Sequence, residues 1–186
     1  MYALVKRALV GAAVVALAGA STAQAQVGLT SNGPVTVQLN ATRNTSITLS
    51  TDVPTASLAS ITDNSTANNF SGINVSATWA LTGGTSINLV GWFANPAQAL
   101  DNAGNFIPSS LVEGRVGAQP YAAFTNAAVG SVGQAGGSLV LWTQAVGVGN
   151  YSGLRTDPLD LRLNLTGVST VAGNYTGTLN LQAIVQ

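Results

Sequence analysis

From Ile73 to Leu81 the chain alternates: Ile73, Val75, Ala77, Trp79 and Leu81 are separated by Asn74, Ser76, Thr78 and Ala80. A period of two sends successive side chains to opposite faces of an extended backbone, so this stretch predicts a strand with one buried and one wet face. The same pattern recurs four times. Val35, Val37, Leu39 and Ala41 alternate with Thr36, Gln38 and Asn40, and Ile47 and Leu49 share a face within 44–50. Leu159, Leu161, Leu163 and Leu165 form a third set, and Tyr175, Gly177, Leu179, Leu181, Ala183 and Val185 a fourth. Ser86 to Ala94 is apolar on both faces, as a central strand would be. Gly83-Gly84, free to take positive φ, predicts a hairpin joining it to the strand before.

Between these runs lie breaks. Thr55 to Gly72 reads mainly as loop, with a short strand at Leu58 to Ile61, because large apolar residues are sparse and 62–69 is polar. Asn95 caps a short turn begun by Pro96 and running to Leu100. Asp101 to Gln119 reads as a long loop holding Glu113 and Arg115 as a local pair. Tyr121 to Ala128 and Ser138 to Val146 are further strands, Trp142 having the opposite parity to Leu139 and Leu141. Glycine-rich turns occupy 130–137 and 147–153. The sum is about seven to nine short strands and no useful amphipathic helix, hence an all-β protein, a sandwich or barrel. The predicted core is Val37, Leu39, Ile47, Leu49, Val75, Trp79, Leu89, Leu141, Leu161, Leu163, Leu179 and Leu181. Two similar turns, Gly149-Asn150-Tyr151-Ser152-Gly153 and Gly173-Asn174-Tyr175-Thr176-Gly177, each set a Tyr at a strand start. Its hydroxyl is placed to bond backbone, as in the tyrosine corner of immunoglobulin-like sandwiches.

Ahead of all these strands stands a different texture. Lys6 and Arg7, the apolar run Ala8–Ala18 and Ala23-Gln24-Ala25 have the three parts of a secretory signal, predicting export and a single domain over 26–186. Without residues 1–25 the single lysine, Lys6, and Arg7 are gone, leaving four Arg against six Asp and Glu, a net charge of −2. Such a surface is unsuited to nucleic acid, which binds through clustered Lys and Arg. No cysteine is present, so the fold holds without disulfides and no thiolate chemistry is available. Aromatics at 6%, with no aromatic girdles, argue against an outer-membrane barrel.

Candidate chemistry is thin. Without histidine the usual general base near neutral pH and the commonest zinc ligand are missing, and no Ser/His/Asp or Cys/His centre can be built. Asp157 and Asp160 are the nearest carboxylate pair, but their spacing puts them on opposite faces of a strand, where they read as solvated charges. Asp101, Asn102 and Asn105 form the best oxygen cluster for calcium, yet beside Gly104 they read equally as turn chemistry. The expectation is therefore no catalytic, cofactor-binding or metal-binding residue, and no cofactor.

The stretch Gly173 to Gln186 resembles the C-terminal strand of secreted pilin-like subunits, among them the spore coat protein U family and chaperone-usher fimbrial subunits. Those strands carry a glycine at a similar distance from the end, followed by alternating apolar residues; here Gly173, Leu179, Leu181, Ala183 and Val185 fit. Val185 stands where an aromatic is frequent, and the disulfide of many such subunits is absent. The resemblance implies an immunoglobulin-like antiparallel β-sandwich lacking one strand, completed by a chaperone and then by a neighbouring subunit's N-terminal arm. The donor would lie within Gln26 to Ala41 and the acceptor edge at Leu179 to Val185. Together these readings predict a non-enzymatic structural or surface-assembly protein, secreted, periplasmic or at the cell surface, self-associating or exchanging strands and not spanning a membrane. The alternative is a secreted module for carbohydrate or surface adhesion, using Trp92, Phe93 or Trp142 and the Asn95 to Gln119 loop as an exposed aromatic surface.

Overall fold

Alternation becomes strand wherever a partner is within reach. In the computed structural model, which describes residues 45–66 and 68–186, the strands in chain order are β1 (Ser46–Thr51), β2 (Asn68–Asn69), β3 (Ile73–Ala80), β4 (Ser86–Trp92), β5 (Leu100–Asn102), β6 (Asn105–Ile107), β7 (Val112–Val116), β8 (Ala122–Ala123), β9 (Ser138–Ala145), β10 (Ser152–Leu163) and β11 (Asn180–Val185). The described residues fall within one compact unit, Arg43–Gln186. The expected signal segment and the Val35–Ala41 strand lie outside the described residues.

The chain is an all-β sandwich. One antiparallel sheet has the order β1-β3-β10-β7-β8, with β2 paired to the end of β10. The second has the order β11-β4-β9, and β5 and β6 form a separate hairpin. As the apolar-on-both-faces pattern anticipates, β4 is central, with Ile87, Leu89 and Val90 fully buried. The Gly83-Gly84 hairpin, however, does not form. β3 and β4 belong to different sheets, so the turn carries the chain across the sandwich rather than back along it. Gly84 has φ 105° and packs against Val185.

Other expectations need correction. Leu58–Ile61 is not a strand, and 121–128 yields only the two-residue β8. The supposed loop 101–119 instead holds the β5–β6 hairpin and β7. Glu113 and Arg115 do not pair with each other: in the β7–β10 register Arg115 faces Asp160 and Glu113 faces Arg162, and each makes its ion pair across the strands. Both arginines also stack on the ring of Tyr121, at 4.4 and 4.0 Å. In β9 the parity rule fails for a local reason. Leu89 pairs with Trp142 and Val90 with Val140, so Leu141 is the extra residue of a bulge and both Leu141 and Trp142 are buried.

The core lies between the two larger sheets. Leu159, Leu161, Leu163 and Leu165 are buried as their alternation requires, with Val75, Ala77, Trp79, Leu89 and Leu141; Ile47, Leu49, Leu179 and Leu181 pack against them half-buried. The sequence gives no hint of the central plug, Phe124. It is fully buried, meets Phe93 edge-on at 5.3 Å, and occupies the space that side chains at Gly91 and Gly114 would fill, a β-carbon at either glycine falling within about 3.1 Å of its ring. One strand residue in each sheet is thus absent as a side chain so that one aromatic ring fits between them. Phe124→Ala is expected to cost about 3–5 kcal/mol, read as a lower urea midpoint at unchanged m-value.

Candidate functional site

Two strands leave an edge unpaired on the same side of the sandwich. In the β11–β4 ladder the Gln186 N–H donates to Ser86 O (2.9 Å) and the Ser86 N–H donates to Gln186 O (3.1 Å). The register of Asn180 to Val185 against Trp92 to Ile87 then assigns the even-numbered residues of β11 to β4, and Leu181, Ala183 and Val185 turn N–H and C=O to the opposite edge. In β1 the Asp52 N–H donates to Asn74 O (3.1 Å), so by the same argument Ile47, Leu49 and Thr51 point theirs away from β3. Among the described residues no strand pairs with either edge, and β1 lies against β11.

Where these edges end, a groove continues. One wall is the extended run from Thr51 to Asp63 and the other runs from Thr170 to Leu181; between them lie three adjoining cavities of about 510, 410 and 570 Å³. Phe70, Ile73, Leu100, Leu161 and Leu181 line the first, and Leu58, Ile61 and Leu163 the second. Neither has a charged residue in its lining; Asp63 borders the third. The groove is therefore apolar below, rimmed by small and polar residues, and bordered by edge strands.

Both walls are held from behind. Asn68, 2% exposed, donates from Nδ2 to Thr62 O (2.9 Å) and Ser65 O (3.1 Å) and accepts the Thr62 N–H at Oδ1 (2.6 Å). The Ser71 N–H donates to Ser57 O (2.7 Å), and the Ser57 N–H donates to Ser71 Oγ (2.9 Å). On the opposite wall Thr176 exchanges two backbone bonds with Asp101 of β5 (2.8 and 3.0 Å), and Gly177 lies so close to the Ala99 carbonyl that a β-carbon there would clash with it. The Tyr175 hydroxyl donates to Val171 O (3.1 Å), a bond to backbone a few residues upstream, as its place in the turn suggested. Tyr151 packs half-buried against the core.

The remaining candidates make contacts within the fold. Asp101 Oδ1 accepts the Gly104 N–H (2.9 Å), and Asn105 Nδ2 donates to Asn102 O (3.0 Å), closing the β5–β6 turn. Asp157 faces inward and pairs with Arg155, while Asp160 faces outward and pairs with Arg115, so the two carboxylates do stand on opposite faces of β10. Among the described residues no cluster of three or more His, Cys, Asp or Glu is placed to hold a metal, and no helix is long and apolar enough to cross a membrane. Of the aromatics expected on an exposed surface, Phe93 and Trp142 are buried and Trp92 is half-exposed, while Phe106 in the 95–119 stretch is exposed; Asn95 caps its turn by accepting the Ala97 N–H (3.2 Å).

One carboxylate is perturbed. Asp52, at the groove end of β1, accepts the Asn74 N–H (2.8 Å) and the Asn74 side-chain amide (2.7 Å); these bonds, the backbone one foremost, favour its charged form and hold its pKa below the ordinary carboxylate value. No protein-family model matches the chain, and no curated protein matches it.

Two outcomes follow from the walls. Since the folded pKa of Asp52 lies below its unfolded one, its contribution is complete above the unfolded value and is lost as the pH falls through the folded value. The carboxyl resonance of Asp52 should titrate below a reference carboxylate, and Asn74→Ala should move the midpoint up. Asn68→Ala, which removes a buried amide bonded to the part-buried Thr62 and Ser65 backbone groups, should cost about 1–3 kcal/mol in urea unfolding.

Proposed function

We propose that this chain is an exported, non-enzymatic structural subunit with an immunoglobulin-like sandwich, and that it assembles by adding a β-strand along the seam between β1 and β11. The observation that carries this reading is that seam: two strand edges with outward-turned N–H and C=O groups bordering an apolar groove with preformed walls. An extended peptide laid there gains main-chain bonds from the edges and buries alternate side chains in the floor, the two ingredients of strand-addition binding. The uncharged lining of the first two cavities suits a segment without charge.

Such a segment is written in the chain. Between Gln26 and Thr42 there is no Asp, Glu, Lys or Arg, and Val35, Val37, Leu39 and Ala41 alternate with polar residues. In this reading the donor is that segment of a second copy. A donor entering a different part of its neighbour from the part it leaves makes a heterologous contact, which propagates unless its rotation closes a ring.

The test is the mass in solution across a concentration series. The protein expressed from Gln26 onward should form assemblies larger than a dimer, and Thr178→Arg, which sets a charge on the exposed rim of the groove, should reduce them to monomer with the far-UV spectrum unchanged. A concentration-independent monomer in both would overturn the assembly reading.

A further inference from the structure

The sandwich has a second lateral seam, and it is built differently. β7 pairs with β10 only from Leu159 onward, which leaves the Leu154–Asp157 part of β10 without a strand neighbour on that side among the described residues. Its register with β3, extended by the Leu81 N–H donating to Tyr151 O (2.7 Å), assigns the odd-numbered residues to β3, so Leu154 and Thr156 turn N–H and C=O to the open side. Next along that edge is Pro158, which has no N–H to offer. Across from it in the other sheet, reached through the contact of Arg155 with Trp142, is the outer edge of β9. That edge is blocked at both ends: Asn126 exchanges backbone bonds with Ser138 (2.8 and 3.3 Å), and Asn150 Nδ2 donates to Ala145 O (2.8 Å).

Between the two edges, where the first seam has an open apolar groove, the second has charge. Arg155 and Asp157 have the inward parity of Leu159, Leu161 and Leu163, and the Arg155 Nε donates to Asp157 Oδ2. The guanidinium lies 4.6 Å above the ring of Trp142, which is 3% exposed and whose Nε1 is buried without an acceptor. An inward-pointing charge at a sheet edge opposes edge-to-edge pairing, because an incoming strand would have to desolvate it.

We infer that the Arg155–Asp157 pair is a guard: it closes the β9–β10 seam to strand addition and so confines assembly to the β1–β11 seam, a role that rests on the assembly reading proposed above. The guard itself acts whether or not the first seam is used. Trp142 supplies the apolar surface that a strand would cover, and the ion pair is what lies over it.

The test uses Arg155→Gln/Asp157→Asn, which keeps the volume and removes both charges, in protein carrying Thr178→Arg so that the first seam is blocked. Light scattering should show the mean mass rising toward about twice that of the Thr178→Arg parent, as expected for two copies pairing edge to edge about a two-fold axis. Hydrogen exchange at Leu154 and Thr156 should slow as it does so. The charge-swapped pair Arg155→Asp/Asp157→Arg should keep the parent's mass. A folded neutral variant with the parent's mass would overturn the guard, and so would a swapped variant that associates as strongly as the neutral one. Should the neutral pair fail to fold by circular dichroism, Arg155→Met/Asp157→Leu, which also removes both charges, is read the same way: a rise in mass supports the guard and an unchanged mass overturns it. Failure of the assembly reading shows separately, as an unblocked protein no heavier than the Thr178→Arg parent.

Discussion

The register of β10 is the constraint on which the rest depends. It is the longest strand among the described residues, and its one inward face changes character along its length: Arg155 and Asp157 first, then Leu159, Leu161 and Leu163. Its ladders to β3, β7 and β2 are all fixed by the same alternation. A slip by one residue would turn three leucines to water and draw Asp160 and Arg162 inside. The outward ion pairs Arg115–Asp160 and Glu113–Arg162 follow from the same register. They are partly exposed, so their part is to discriminate against the slipped pairing more than to add stability.

Seen from β10, the two flanks of the sandwich are opposite answers to one problem. Every open-sheet sandwich has edges, and each edge offers unpaired backbone groups above an apolar interior. On one flank the chain covers the interior with a charged pair, caps the outer strand with Asn126 and Asn150, and sets a proline in the edge. On the other, among the described residues, neither β1 nor β11 carries a charge or a proline, and Asn68, Ser71 and the β5–β6 hairpin hold the groove walls in place. Preformed walls matter to binding, because a groove already ordered leaves less conformational entropy to be lost when a strand enters.

Much of the sandwich was legible in the sequence, and the gaps have physical causes. Alternation located β1, β3, the Leu159–Leu163 part of β10 and β11, whose expected run began earlier, at Tyr175, because a half-buried strand needs only its own period to be recognised; β4 and β9 showed instead as apolar runs. It did not reveal which strands pair. The Gly83-Gly84 turn suits a hairpin and an arch between sheets equally well, and only the pairing of β3 with β1 and β10 and of β4 with β9 and β11 shows which one forms. β7 was hidden because Gly114 removes the middle member of its inward set, and that glycine is explained only by Phe124, a residue ten positions away with no pattern of its own. The bulge at Leu141 likewise defeats a strict parity rule. The groove was legible on one side only: Leu179 and Leu181 mark one rim, whereas the 51–63 wall has no period because it makes no ladder.

The arch between β3 and β4 also bears on how the chain reaches this structure. With consecutive strands sent to different sheets, β3 has β1 close by but must wait for β10 on its other edge, and β4 must wait for β9 and β11, all supplied from far along the chain. Contacts between such distant segments incur loop-closure entropy before they return any stabilisation, and proteins dominated by them fold in milliseconds to seconds rather than microseconds. During that interval the alternating strands are exposed together in one chain, where premature pairing with another molecule competes with native closure. Ion pairs that exist only in the correct β7–β10 register then serve during folding as well as after it, by making the wrong partner a poor one while the right one is still being found.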